Sequence, residues 1–229
     1  MSSTIPDSRF PIPGPIRAFL FDLDGTLVDT AADLGHAANF VRGSLGLAPL
    51  PLADYRPVAS AGARGLLGKA LGIAADHVDF PKHRDAFLEY YRANLSHESR
   101  LFPEMDEALR EMERQGVLWG VVTNKPSWLT RPLMAELGLD SRSAVTISAD
   151  EVAKPKPAPD SIHKACEILG LAAADCVYVG DDRRDIDAGR AAGMRTIAAD
   201  WGYLGEGGPI QGWGADAILR TPGELTRWL

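Results

Sequence analysis

From Leu101 onward, helical stretches alternate with short apolar runs. Glu104–Gln115, Pro126–Leu137, Asp160–Leu169 and Asp185–Ala192 have helical character. Val117–Thr123, Ala144–Ser148, Cys176–Gly180 and Arg195–Ala199 read as strands. That alternation constrains the fold more than any other feature. Continuous apolar strands joined through helices meet in a parallel sheet covered on both faces. Ala217–Leu219 reads as a last edge strand before a closing helix over Pro222–Leu229, and Ile16–Phe21 as an earlier buried strand. In such sheets ligands bind in the crevice at the carboxyl ends of the strands. The residues that end each run therefore carry the argument.

The first run ends in Asp22-Leu23-Asp24-Gly25-Thr26. If the strand continued, Asp22 and Asp24 would point to one side. Two adjacent carboxylates are costly unless a cation or a shared proton relieves them; the plainer alternative is a solvated Asp-Gly turn. The run over 117–123 opens into Thr123-Asn124-Lys125, whose hydroxyl and N–H groups suit a phosphate oxygen, or merely a helix cap. In Lys154-Pro155-Lys156-Pro157-Ala158-Pro159 the prolines make a stiff extended segment that can hold a lysine head in place, with Lys156 read as a solvated surface lysine. A second acidic strand end follows in Gly180-Asp181-Asp182-Arg183-Arg184-Asp185, where Asp182 also suits helix capping.

Residues 30–97 have no convincing strand. Thr30 can cap a helix running to about Leu45, Gly62–Leu71 reads as a glycine-rich helix, and His83–Leu95 as an amphipathic one. Residues 1–15, with four prolines, read as a mobile tail. The division expected is a tail over 1–15, a core made of 16–29 and 98–229, and a helical insertion over 30–97. The formal net charge of −7 argues against nucleic acid or an anionic membrane as partner. Cys166 and Cys176 form no disulfide framework, which suits a reducing cytoplasm. No signal-peptide pattern or membrane span is expected, and the five histidines form no cluster.

An oxygen-only set drawn from Asp22, Asp24, Asp181 and Asp185 suits Mg²⁺. A charge-neutralised aspartate can attack phosphorus, and a carboxyl two residues on can protonate the leaving oxygen and later deprotonate water. The four stations, Asp22 to Thr26, Thr123, Lys154-Pro155 and Gly180 to Asp185, together resemble the haloacid dehalogenase-like superfamily. The helical insertion resembles the cap domain of its phosphoglycolate phosphatase-like branch. Leu118 to Pro126 and Trp213 to Asp216 look most like bacterial N-acetylmuramic acid 6-phosphate phosphatases.

The resemblance implies a Rossmann-like α/β core with a cap domain inserted after the first strand. It implies a Mg²⁺-dependent phosphatase acting on a small phosphorylated metabolite such as 2-phosphoglycolate or N-acetylmuramic acid 6-phosphate. Asp22 would be nucleophile and metal ligand. Asp24 would be general acid/base and ligand through its backbone carbonyl. Thr123 and Asn124 would bind the phosphoryl group and Lys154 would offset charge. Asp181 and Asp185 would hold the metal. Gly25, Arg64 and Lys69, with Ser60 and Gly62 beside them, are the further substrate-binding candidates. A phosphomutase of the same branch and a receiver-type signalling domain are the alternatives.

Overall fold

A computed structural model describes residues 15–205 and 207–229; the tail expected over 1–15 lies, apart from Pro15, outside the described residues. In chain order the strands are β1 (Ala18–Phe21), β2 (Val28–Asp29), β3 (Arg100–Leu101), β4 (Leu118–Val122), β5 (Thr146–Ile147), β6 (Cys176–Gly180), β7 (Arg195–Ala199) and β8 (Ala217–Leu219). The helices are α1 (Ala31–Ser44), α2 (Gly62–Leu71), α3 (Phe80–Ala93), α4 (Met105–Arg114), α5 (Ser127–Glu136), α6 (Asp160–Leu169) and α7 (Arg183–Ala191).

Six strands form one parallel sheet in the order β5-β4-β1-β6-β7-β8, with Phe21 in register with Val121 on one side and Val179 on the other. The expected α/β parallel sheet is therefore present. Strand alternation splits β1 between two apolar layers. Phe19 and Phe21 join the layer containing Met105, Leu109, Leu129 and Leu133 of α4 and α5. Ala18 and Leu20 face the layer containing Ile162 and Ala165 of α6 and Ala188 of α7. The chain runs from β1 outward through β4 and β5, then recrosses to β6. The switch point therefore lies at β1, where the open crevice of such sheets forms.

The helical stretch leaves and re-enters through β2 and β3, an antiparallel pair with Asp29 opposite Arg100. Two-residue strands are too short to leave a periodic signature, and the sequence reading has no counterpart for them. A buried Asp33 on α1 clasps the exit, accepting hydrogen bonds from the N–H groups of Glu98 (3.1 Å) and Ser99 (2.8 Å) and from Ser99 Oγ (2.7 Å). Helix α3 starts at Phe80, earlier than His83, because Pro81 fits its first turn. The closing segment Pro222–Trp228 is 3₁₀ rather than α. Thr30 precedes α1 but does not cap it; its hydroxyl donates to Asp24 Oδ1 instead, at 2.7 Å.

Candidate active site

Asp22 follows the last residue of β1, and its N–H donates to Val179 O of β6 (2.9 Å), which continues the sheet by one residue. The strand then breaks. Val28 N–H donates to Leu23 O and Gly25 N–H to Val28 O, both at 2.9 Å, closing a tight turn. Asp24 therefore reaches the crevice from a turn and not from a strand face. The two carboxylates expected side by side are relieved separately, by two different lysines.

Asp22 stands with Asp181 and Asp185, one oxygen of each lying within 4.8 Å of the others. Asp181 is fully buried at the end of β6, accepting from Thr26 Oγ1 (2.7 Å), Tyr203 N–H (2.9 Å) and Ser60 Oγ (3.2 Å). Burial, and after it the charges of Asp22 and Asp185, push its carboxyl up to about 8. Asp185, in the first turn of α7, is pushed up to about 7, by burial first, with Lys156 pulling down and Asp22 pushing up. Two buried carboxylates pushed upward, beside a partly buried third and with oxygen donors only, match a hard divalent cation. The Asp24 side chain stands outside this trio. Asp182 instead caps α7 through Arg184 N–H (2.9 Å) and pairs with the Arg184 guanidinium (2.8 Å), apart from the trio.

The lysine at the site is Lys156, correcting the expectation for Lys154. Lys156 Nζ lies 2.7 Å from Asp185 Oδ1 and 2.8 Å from Asp22 Oδ1, and donates to Tyr178 Oη (2.9 Å) and Val122 O (3.0 Å). The Asp22 contact is an ion pair off the line of a hydrogen bond, so among the described residues Asp22 Oδ1 has no hydrogen-bond donor. Burial opposes the charge on Lys156, but Asp185 and Asp22 outweigh it and hold the ammonium protonated well above the usual lysine range. Lys154 is exposed. The Lys-Pro-x-Pro pattern occurs twice, starting at Lys154 and at Lys156, so the spacing alone could not choose between them. Asn124 spends both ends of its amide on the Lys156 backbone, donating to its carbonyl (2.9 Å) and accepting from its N–H (3.0 Å). It positions the lysine more than it offers hydrogen bonds to a substrate.

A cavity of about 320 Å³ opens over these groups. Asp22, Asp24, Thr123, Asn124, Lys125, Lys156, Asp185 and Arg184 line it from the core; Leu34, Ala59 to Ala63, Phe87, Leu88 and Tyr91 line it from the helical stretch. Ser60 and Gly62 are thus where expected. Arg64 and Lys69 are not: both are exposed, Arg64 on a separate cleft and Lys69 at 3.6 Å from Asp54. The buried stripe of α2 is Leu66, Leu67 and Ala70, and both cations lie off it. Gly25 does not line the cavity either. Its φ is +89°, and a Cβ there would stand 2.3 Å from Asp181 Oδ2, so glycine is what lets the turn pass under that carboxylate.

Several site residues had no role in the sequence reading. Lys125 Nζ contacts Asp24 Oδ1 (3.0 Å) and Tyr91 Oη (2.8 Å). Tyr203 follows β7 and binds the Asp181 carboxylate through its N–H, while its hydroxyl accepts from Thr30 N–H (2.7 Å). Only their positions at strand ends, β4 and β7, were available as a signal.

A family model for haloacid dehalogenase-like hydrolase matches residues 19–199. A phosphoglycolate phosphatase of Xanthomonas campestris pv. campestris (strain 8004) is 43% identical, covering 95% of this chain and 96% of its own. An N-acetylmuramic acid 6-phosphate phosphatase of Pseudomonas putida is 41% identical over 93% of this chain and 95% of its own. The crystal structure of a predicted phosphoglycolate phosphatase from Haemophilus somnus 129PT superposes with a TM-score of 0.82 at 28% identity, covering 93% of this chain and 97% of that one. Named relatives on both sides are phosphoric monoester hydrolases. With the match running from β1 to β7 and spanning Asp22, Asp24, Lys156, Asp181 and Asp185, the chain belongs to the haloacid dehalogenase-like hydrolases.

Proposed function

We propose that this hydrolase is a Mg²⁺-dependent phosphatase of small cytoplasmic phosphomonoesters, working through a phosphorylated Asp22. The observation that carries the reading is the separation of the two carboxylates. Asp22 sits between Lys156 and the acidic trio, while Asp24 faces the same cavity from an independent lysine.

An Asp22 oxygen attacks phosphorus, and the bond from phosphorus to the substrate oxygen breaks as Asp24 gives that oxygen a proton. Asp24 then takes a proton from the attacking water, and the bond from Asp22 to phosphorus breaks, releasing phosphate. Lys156 keeps negative charge tolerable beside Asp22, and Thr123, which lines the cavity, would bind a phosphoryl oxygen. Asp22, Asp181 and Asp185 would hold Mg²⁺, which when bound supplies charge neutralisation for a dianionic phosphoryl group. Unaided phosphomonoester hydrolysis is extremely slow, so positioning and electrostatics carry nearly all of the acceleration.

The helical stretch serves in this reading as the cap that selects the leaving group. Its cavity wall is built of Leu34, Ala59 to Ala63 with Ser60 and Gly62 among them, Phe87, Leu88 and Tyr91, and the cations that line the cavity, Lys125, Lys156 and Arg184, all come from the core. A wall of this kind suits a bulky sugar phosphate such as N-acetylmuramic acid 6-phosphate better than 2-phosphoglycolate, whose carboxylate would want a cation on the cap side. The insertion between β2 and β3 has no place in a receiver-type domain. A phosphomutase is separated by its product.

The test is a phosphatase panel with Mg²⁺ containing both candidates, run on wild type and Asp22→Asn. Phosphate release by the wild type, with a phosphoprotein trapped on acid quenching that Asp22→Asn does not form, is the expected result. Retained Mg²⁺-dependent turnover by Asp22→Asn sinks the nucleophile assignment. Isomerised sugar phosphate without phosphate release assigns a mutase.

A further inference from the structure

Asp24 is tied to the helical stretch at two places far apart in sequence. Thr30, just before α1, donates to Asp24 Oδ1 at 2.7 Å. Near the other end, Tyr91 on α3 accepts a hydrogen bond from Lys125 Nζ at 2.8 Å, and the same ammonium reaches Asp24 Oδ1 at 3.0 Å and Oδ2 at 3.2 Å. Tyr91 is 1% exposed and Lys125 8%, so water does not compete for these contacts. The Lys125 backbone is fixed by the core, its N–H donating to Thr123 Oγ1 (3.2 Å) and its carbonyl accepting from Thr130 Oγ1 (3.2 Å). Its side chain spans from that anchor to Asp24, with Tyr91 bracing the tip. The ring lies under the ammonium, 4.5 Å from ring centre to Nζ.

We propose that Lys125, braced by Tyr91, is a positioning residue that fixes the Asp24 carboxyl against the leaving-group end of the cavity and makes that position depend on the seating of α3. The inference rests on the acid/base reading of Asp24 given above. Without Lys125, Oδ2 of Asp24 has no partner and the carboxyl turns freely about its one remaining bond, to Thr30. A proton donor held loosely costs most where the leaving oxygen needs the proton most. An alkoxide leaving from a sugar phosphate needs it; nitrophenolate leaving from p-nitrophenyl phosphate hardly does.

The experiment compares these two substrates, with Mg²⁺, in Asp24→Asn, Lys125→Met and Tyr91→Phe. Thermal melts confirm that each variant is folded, and Tyr91→Phe removes one hydroxyl without changing the packing. In Asp24→Asn, kcat should fall about 100-fold further on the alkyl phosphate than on the nitrophenyl ester. Lys125→Met should show the same split at about tenfold or more with KM little changed, and Tyr91→Phe a smaller split in the same direction. Equal loss on both substrates, a change confined to KM (a direct phosphate contact), or no loss overturns the inference. A split in Asp24→Asn without one in Lys125→Met overturns it alone. No split in Asp24→Asn removes the acid/base assignment and this inference with it.

Discussion

Four groups converge on the Lys156 ammonium: two carboxylates, a tyrosine hydroxyl and a backbone carbonyl. Removing one partner of such a buried cluster leaves charges uncompensated, which typically costs about 3–5 kcal/mol. Lys156→Met should therefore lose activity to near background and lower the urea midpoint accordingly, while exposed Lys154→Met stays close to wild type in both measurements. The acidic trio sets a pH dependence. Asp181 and Asp185 have folded pKa values pushed to about 8 and about 7 from an ordinary 3.8. A carboxyl with a raised folded pKa holds its proton longer in the folded state. Its stabilising contribution is full below the unfolded value and lost as pH rises through the folded one. Melting temperature in chelator should fall from about pH 5 to pH 8, and added Mg²⁺ should flatten that slope; an equal slope with and without Mg²⁺ refutes the trio as its site.

Among the elements, the turn from β6 into α7 shows how backbone shape serves the site. A Cβ on Gly180 would stand 2.2 Å from Asp185 Cβ, so only glycine lets the first turn of α7 fold back over the strand. Gly180→Ala should shift that turn and weaken Mg²⁺ binding by about tenfold or more, read by metal titration, since supporting residues of this kind commonly carry 10–100-fold in affinity. This is also where the sequence was most legible. Strands β6 and β7 lie where their apolar runs place them, because buried strands have a plain composition, and edge strand β8 and helix α6 lie where their flanking breakers place them. Asp22, Asp24, Thr123, Asp181 and Asp185 were legible for the same reason, each closing or following such a strand. Lys156 was not, because two overlapping Lys-Pro-x-Pro frames look alike until one lysine is buried. Tyr91 was hidden by its own helix, where an aromatic on the apolar stripe reads as core; it is core, and its hydroxyl is the part that matters.

Over the whole molecule, further polar ties hold the helical stretch to the sheet. Arg56 pairs with Asp29 of β2 at 2.7 Å and lies over the rings of Tyr203 (4.9 Å) and Phe102 (5.8 Å), while Arg184 Nη2 donates to Ser60 O at 2.8 Å. The Arg56 pair is partly exposed, so Arg56→Ala should cost only about 1 kcal/mol in global stability. Its larger effect should be local: faster hydrogen exchange in α1 to α3 with β1, β4 and β6 unchanged, and a raised KM. No helix among the described residues is long and apolar enough to cross a membrane. Because Asp29 and Arg100 are direct partners across β2 and β3, the seventy residues between them leave the core and return to it at a single junction. Outside that stretch lie the acidic trio, Thr123, Lys125 and Lys156; inside it lie Thr30 and Tyr91, which hold Asp24 and its lysine. In the proposed reading, a different helical cassette grafted at that junction would redirect the reactive centre to another alcohol only if it also supplied the groups that hold Asp24 and Lys125.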